Sequence, residues 1–209
     1  MLQPRLMILG PTGIATVAAP TGAVDVVGVR LQPWAGHVFG MPPAEFRDMT
    51  IPMDLLAPGL ARLADTRLRE PLSQAERVTL VLEELERMAA RSNPAPGRVQ
   101  AAVAHCSQPG MVRSAQVAKL LGYSLRSLER HFATHVGLAP KRLAMVFRIQ
   151  RVFRILRMQP ASTWTSIAGQ AGFADQSHLI RDMRRVAGLA PTELHESSRT
   201  LTRLFAVPE

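Results

Sequence analysis

The sequence predicts a mostly α-helical protein, in which a small α+β N-terminal domain precedes an all-α domain of two helix-turn-helix bundles joined by a long linker helix. Three observations support this prediction. A helix-turn-helix pattern occurs twice, in residues 117–143 and 167–194. The basic residues are concentrated around this repeat, and short β-branched runs separated by Gly and Pro lie near the N-terminus.

The N-terminal 40 residues are predicted to contain β structure. Strands are expected at Leu6–Leu9, Ala15–Ala19 and Val24–Leu31, because apolar and β-branched residues there alternate with Gly-Pro turns. A sheet of only three strands has little to pack against, so it is expected to pack on helices, pair with another chain or continue a larger sheet. Short helices are predicted at Pro43–Arg47 and near Gly59–Asp65.

A stronger helix signal follows in the middle of the chain. Ser73 and Glu76 form a capping box, and apolar residues continue at helical spacing to about Ala90. The Pro-rich segment Ser92–Gly97 then breaks this helix and marks a domain boundary. Beyond the boundary, a helix is predicted over Arg98–Ser107.

The two copies of the repeat each predict a helix, a short turn and a second helix. Gly122-Tyr123 in the first copy matches Gly172-Phe173 in the second at an offset of 50, whereas Leu128 matches Leu179 at an offset of 51. One extra residue therefore lies in the turn of the second copy. Gly122 and Gly172 stand where a chain reversing between helices needs a residue that tolerates positive φ.

The second helix of each copy is predicted to have an apolar face and a polar face. Ser124 and Asp175 are the expected N-caps, for helices that run to about Thr134 and Val186. The apolar faces carry two pairs of residues that are four apart, Leu128 with Phe132 and Leu179 with Met183.

Two helices joined by a short Gly-containing turn are typical of the helix-turn-helix, whose second helix enters the DNA major groove. Arg suits guanine and Gln suits adenine, so Arg126, Arg130, Gln176 and Arg181 are the main predicted base contacts. Ile180 is expected to contact a thymine methyl, and His178 a base or a phosphate. A solvated helix face is the alternative for each residue. The full predicted DNA-binding set is Arg126, Ser127, Glu129, Arg130, Gln176, Ser177, His178, Ile180 and Arg181.

A linker helix is predicted between the copies, over Lys141–Met158, with Pro140 in its first turn. Its 18 residues would span about 27 Å at about 1.5 Å each. Ser162 or Thr163 is expected to cap the helix that opens the second copy.

The duplication, the linker helix and the Gly-Leu-Ala-Pro that closes each copy together resemble the AraC/XylS family of bacterial transcription regulators. This resemblance covers about residues 98–200 and implies that the matching helix positions face the groove. Residues 28–56 are similar to the later part of an N-terminal domain of some such regulators. That domain usually has more strands upstream, so we expect Met1 to begin inside it.

The resulting domain prediction has four parts. Residues 1–92 form an α+β domain for sensing or dimerisation, 93–97 a linker, 98–200 the DNA-binding domain and 201–209 a tail that follows a short final helix. The resemblance implies double-stranded DNA, RNA polymerase, a small-molecule effector and a second copy of the chain as partners. No cofactor is predicted.

Charge and composition agree with a polyanion as the partner. Residues 1–97 carry 9 Arg and 10 Asp or Glu, whereas residues 98–209 carry 16 Lys or Arg and 6 Asp or Glu, a net charge of +10. Neutralising phosphates releases counterions, so such a surface favours binding to nucleic acid. The alternative is that these residues form only a solvated basic surface on a helical domain. No apolar run reaches the roughly 18 residues of a membrane span, and the N-terminus is a poor signal peptide, so a cytoplasmic protein is expected.

Catalytic and metal-binding functions are disfavoured by the same residues. Cys106, the single cysteine, lies beside His105, but neighbours on a helix point about 100° apart and Cys106 falls on the apolar stripe. We therefore predict a structural cysteine. His131 and His135 have ligand spacing, yet no further ligand pattern accompanies them, and no metal is predicted. The alternatives to a sequence-specific regulator are a non-specific architectural DNA-binding protein and, ranking third, a DNA-modifying enzyme.

Overall fold

A computed structural model describes residues 6–15, 27–70, 72–110, 113–188 and 190. It confirms the predicted fold class, because the described chain is mostly helical with one small antiparallel sheet. The elements are β1 Met7–Leu9, 3₁₀ helices Ala35–Phe39 and Pro43–Phe46, β2 Thr50–Pro52, α1 Met53–Leu56, α2 Pro58–Thr66, α3 Gln74–Ala90, α4 Gly97–Ser107, α5 Ser114–Leu120, α6 Leu125–His135, α7 Pro140–Met158, α8 Trp164–Ala171 and α9 Gln176–Ala187. The predicted final helix and tail lie outside the described residues.

The described residues fall into two compact units. The first contains residues 6–12, 27–70, 72–100 and 129–138, and the second contains 13–15, 101–110, 113–128, 139–188 and 190. The predicted domain boundaries at 92, 97 and 200 remain predictions. No helix in the described ranges is long and apolar enough to cross a membrane.

The sheet of the first unit pairs β1 with β2, with Ile8 opposite Ile51. The strand predicted at Leu6–Leu9 is thus confirmed, but its partner was not predicted. The strand predicted at Val24–Leu31 is wrong over its described part, residues 27–31, which lie beside neither strand of the pair. The strand predicted from Ala15 is wrong at that residue, whose N–H donates instead to the Val186 carbonyl (2.6 Å) within the second unit; residues 16–19 lie outside the described chain.

The first unit is built around a small apolar cluster in which Ile8, Ala57 and Leu60 are buried. Helix α3 covers this cluster with half-buried side chains such as Leu85 and Met88. The predicted capping box at its start is confirmed. Its hydrogen bonds to the carboxylate lower the pKa of Glu76.

The end of α6 and the residues after it also pack within the first unit. Gly137 lies so close to the backbone of Pro43 that a Cβ there would meet the Pro43 carbonyl carbon at 2.9 Å, as well as the Pro11 ring. The short helices predicted near Pro43–Arg47 and Gly59–Asp65 are confirmed as the second 3₁₀ helix and α2.

The second unit contains the core that positions α8 and α9 on α7. Ile149 and Val152 of α7, Ile167 of α8, and Leu179 and Met183 of α9 are among its buried members. The predicted linker helix is confirmed as α7, whose 19 residues span about 28 Å and whose first turn contains Pro140.

Candidate nucleic-acid interface

The turns of the two predicted helix-turn-helix units begin in the same way. Gly122 and Gly172 have φ of +70° and +86°, which confirms the positive φ predicted for both. In each copy the N–H of the aromatic residue after the glycine donates to a carbonyl five residues back, at 2.8 Å in the first copy and 2.9 Å in the second. This is the Schellman closure of α5 and of α8.

Helix α6 is fixed at its start and along its inner face. The Ser127 N–H donates to the Ser124 hydroxyl (3.1 Å), as an N-cap requires. Leu128 and Phe132 are fully buried. The polar face of α6 is therefore held in one rotational setting.

Helix α9 is fixed by the equivalent features. The His178 N–H donates to the Asp175 carboxylate (2.7 Å), and Leu179 and Met183 are fully buried. The extra residue of this copy is Ala174, which stands between the Schellman closure and the Asp175 cap.

The predicted base-contacting residues divide by exposure. The exposed ones are Arg126, Glu129, Arg130, Gln176, Ser177 and Arg181, and the half-buried ones are Ser127, His178 and Ile180. The Gln176 amide oxygen accepts a hydrogen bond from the Thr165 hydroxyl of α8 (3.1 Å), which orients this side chain.

The repeat is similar in sequence to parts of known proteins. A family model described as a helix-turn-helix domain matches residues 117–197. The "Probable thc operon regulatory protein" of Rhodococcus erythropolis is 36% identical over 104 residues, which cover 47% of this chain and 31% of that protein. The HTH-type transcriptional activator RhaS of Escherichia fergusonii is 35% identical over 80 residues, which cover 38% of this chain and 28% of the activator.

Residues 117–197 are therefore similar to a helix-turn-helix domain. The matched part of the chain spans less than a third of the length of either relative, at 31% and 28%. A crystal structure of a transcriptional regulator from Chromobacterium violaceum, described as containing an AraC-type DNA-binding domain, is 22% identical with a TM-score of 0.43, and the match covers 50% of this chain and 94% of that chain.

A buried ion pair between α7 and α9 was not predicted. Arg148 of α7 donates to the Asp182 carboxylate of α9 (3.1 Å), and their side chains are only 8% and 11% exposed. The sequence does contain a signal for it, because Arg148 shares a face of α7 with Met145 and Ile149, and Asp182 adjoins Met183. Helical periodicity therefore indicates that Arg148 and Asp182, which carry opposite charges, lie on apolar helix faces.

A second arginine of α7 contacts the ends of two other helices. The Arg151 guanidinium donates to the Ala171 carbonyl at the end of α8 (3.0 Å) and to the Ser107 carbonyl at the end of α4. Burial, followed by the positive charges of Arg154 and Arg148, lowers the pKa of Arg151. Carbonyls at helix ends lack partners within their own helix, so Arg151 stabilises two helix ends at once.

Further exposed cations accompany the predicted set. Arg184 and Arg185 extend the basic face of α9, and Lys141 and Arg154 are exposed on α7. A Lys or Arg that contacts a phosphate adds affinity without adding sequence information directly.

The two histidines of α6 lie in the first unit as a stacked pair. The ring centroids of His131 and His135 are 6.0 Å apart at an interplanar angle of 13°. Burial, then the positive charges of His131 and His37, lower the pKa of His135. The described residues contain no group of three or more His, Cys, Asp or Glu arranged to hold a metal ion.

Cys106 is expected to be chemically inert in the folded protein. Its side chain is 1% exposed, and burial raises the pKa of the thiol to about 12. Since the thiolate is the reactive form, Ellman's reagent should label this thiol only after denaturant is added. Rapid labelling of the native protein would contradict the placement of Cys106 in the core.

Proposed function

We propose that this chain is a sequence-specific DNA-binding transcription regulator, in which α6 and α9 act as recognition helices in two successive major grooves. The observation that carries the proposal is the shared construction of α6 and α9. Each helix follows a turn that contains a glycine with positive φ, begins at a capping residue and packs its apolar face into the core. Each also has exposed arginine on its outer face. The relatives' names, a regulatory protein and a transcriptional activator, support a role in transcription.

The length of α7 supports contact with two grooves. At about 28 Å, α7 is close to the groove-to-groove repeat of about 34 Å, so one helix can space two reading units without a second chain. Helix α6 offers Arg126 and Arg130, whereas α9 offers Gln176 and Arg181. The two half-sites therefore differ in sequence, and the site of one chain is asymmetric.

The other parts of the proposal follow from the resemblance. Residues 1–92 serve sensing or dimerisation, and residues 98–200 bind DNA. RNA polymerase, a small-molecule effector and a second copy of the chain are further proposed partners. A DNA-modifying enzyme would need a nucleophile or a set of metal ligands, and the buried Cys106 thiol does not support a reactive nucleophile.

Arg130→Ala and Arg181→Ala are each expected to weaken binding to the selected site by about 1–3 kcal/mol, because a bidentate base contact is lost. They should relax sequence preference at positions about one helical turn apart. The site is first selected from genomic fragments with the purified full chain, and each variant is then tested against all single-base changes.

Arg62→Ala is the matched control, since it removes an exposed arginine from α2 in the first unit. Sequence preference should be unchanged in this variant. Relaxation at the same base pair by Arg130→Ala and Arg181→Ala would contradict reading of two grooves.

Affinity for DNA is expected to fall steeply with salt. If six or more phosphates are neutralised, the loss between 50 and 200 mM salt should be on the order of 10³. Fluorescence anisotropy with the selected site and with random duplex measures both affinities. A flat response would contradict the electrostatic contribution, and equal affinity for the two duplexes would favour the architectural alternative.

A further inference from the structure

The extra residue in the second turn is bound by a side chain of the helix that follows. The Ala174 N–H points at the His178 ring and lies 3.4 Å from Nδ1. In the first copy, Tyr123 is followed directly by the capping residue Ser124, so the shorter turn has no counterpart of Ala174.

The other ring nitrogen of His178 faces the buried ion pair. His178 Nε2 lies 3.4 Å from the Asp182 carboxylate oxygen that also accepts from Arg148. The imidazole meets the Phe173 ring edge-on, with centroids 5.3 Å apart at 87°. The Arg148 guanidinium carbon lies 5.2 Å from the centroid of the same Phe173 ring.

The contact with the Ala174 N–H favours one tautomer of the imidazole. A ring nitrogen that receives a backbone N–H must be an acceptor, so Nδ1 carries no proton. In the neutral imidazole the proton then lies on Nε2, which is 3.4 Å from the Asp182 carboxylate oxygen.

We propose that His178 is a positioning residue for DNA recognition: as the neutral Nε2–H tautomer, it ties the longer second turn to α9 and so sets where Gln176 and Arg181 meet the bases. This inference rests on the proposed function. It replaces the direct base or phosphate contact expected from the sequence, because the side chain is only 20% exposed and both ring nitrogens face protein groups.

Three substitutions separate the two contacts. His178→Asn keeps an acceptor near the position of Nδ1, His178→Gln keeps a donor near the position of Nε2, and His178→Ala keeps neither. We expect His178→Ala to weaken binding to the selected site by roughly tenfold, about the worth of one net hydrogen bond or slightly more. His178→Asn should restore most of the affinity, and His178→Gln should not.

The pattern of sequence preference distinguishes positioning from direct contact. His178→Ala should relax preference at every base pair that Gln176→Ala or Arg181→Ala affects, and should leave the half-site affected by Arg130→Ala unchanged. A change confined to one base pair that neither α9 variant affects would overturn the proposal, since it would indicate a direct base contact. If His178→Ala does not fold, the comparison of the Asn and Gln variants carries the test, and equal affinity of those two would overturn it.

A measurement without DNA distinguishes a failure of the His178 inference from a failure of the proposed function. The ¹⁵N spectrum of the imidazole in the free full-length chain should show a protonated Nε2 and an unprotonated Nδ1 for His178, assigned by its loss in His178→Gln. The opposite tautomer would overturn the inference even if the chain binds DNA specifically. Equal affinity for all duplexes, with the expected tautomer present, would instead be a failure of the proposed function.

Discussion

Gly172→Val is expected to lose both stability and DNA binding. The positive φ of +86° costs a non-glycine residue about 1–3 kcal/mol, and a β-branched side chain is among the worst there. A Cβ at this position would also meet the Gly110 backbone nitrogen at 2.5 Å and the Pro109 carbonyl carbon at 3.3 Å, so backbone must move. Because Gly172 closes α8 shortly before α9 begins, α9, the proposed second recognition helix, should be displaced.

Two other glycines separate the causes of that loss. Gly188 has φ of +73° with open space around its Cβ position, so Gly188→Ala reports the cost of the backbone conformation alone. Gly169 lies inside α8 with nothing within 4 Å, and Gly169→Ala should stabilise by about 0.5–1 kcal/mol. Denaturant unfolding and DNA affinity are measured for all three variants. A Gly172→Val protein with wild-type unfolding and binding would show that the turn is built differently.

Arg148→Met is expected to destabilise the protein by about 3–5 kcal/mol, because it leaves the Asp182 carboxylate buried without its cation. Both side chains are nearly inaccessible, so water cannot replace the lost contact as it does at a surface. Loss of the guanidinium also removes the cation that lies over Phe173. The midpoint and slope of urea unfolding measure the effect.

The control is a surface pair of the same chemistry. The Arg69 guanidinium nitrogen and the Asp65 carboxylate oxygen are 2.7 Å apart, but the two side chains are 55% and 58% exposed. Arg69→Met should therefore lower the free energy of unfolding by about 1 kcal/mol or less. Adding Asp182→Leu to Arg148→Met should recover stability, since the unpaired charge is removed. Equal losses for Arg69→Met and Arg148→Met would contradict the role assigned to burial.

Features that depend on neighbouring residues could be predicted from the sequence. The Ser73 capping box, the positive φ of Gly172 and the first-turn Pro140 each need only a few adjacent residues, and all three are confirmed. The strand β2 could not be found in this way. It is three residues long, includes a proline and gains its identity only by pairing with β1, more than 40 residues earlier.

The candidate interface shows the same limit at single residues. The pairing of Arg148 with Asp182 was not predicted, because it joins residues that are 34 apart in sequence. His178 precedes Leu179 on the polar side of the predicted stripe, which favoured DNA contact. The sequence does not show that Nδ1 of His178 lies 3.4 Å from the backbone nitrogen of the inserted Ala174, because only the folded turn brings the two together.

The close packing of Gly137 limits how this protein can be recombined with others. When the sensing and DNA-binding domains of a regulator pack independently, the chain can be divided at the linker and the domains can be exchanged with those of another regulator. Here residues 129–138, which include the end of α6, pack with the N-terminal segments that supply Pro11 and Pro43. A chimaera joined at residues 93–97 would contain α6 without the residues that pack against its C-terminal end. A working fusion must therefore also carry the segments that supply Pro11 and Pro43.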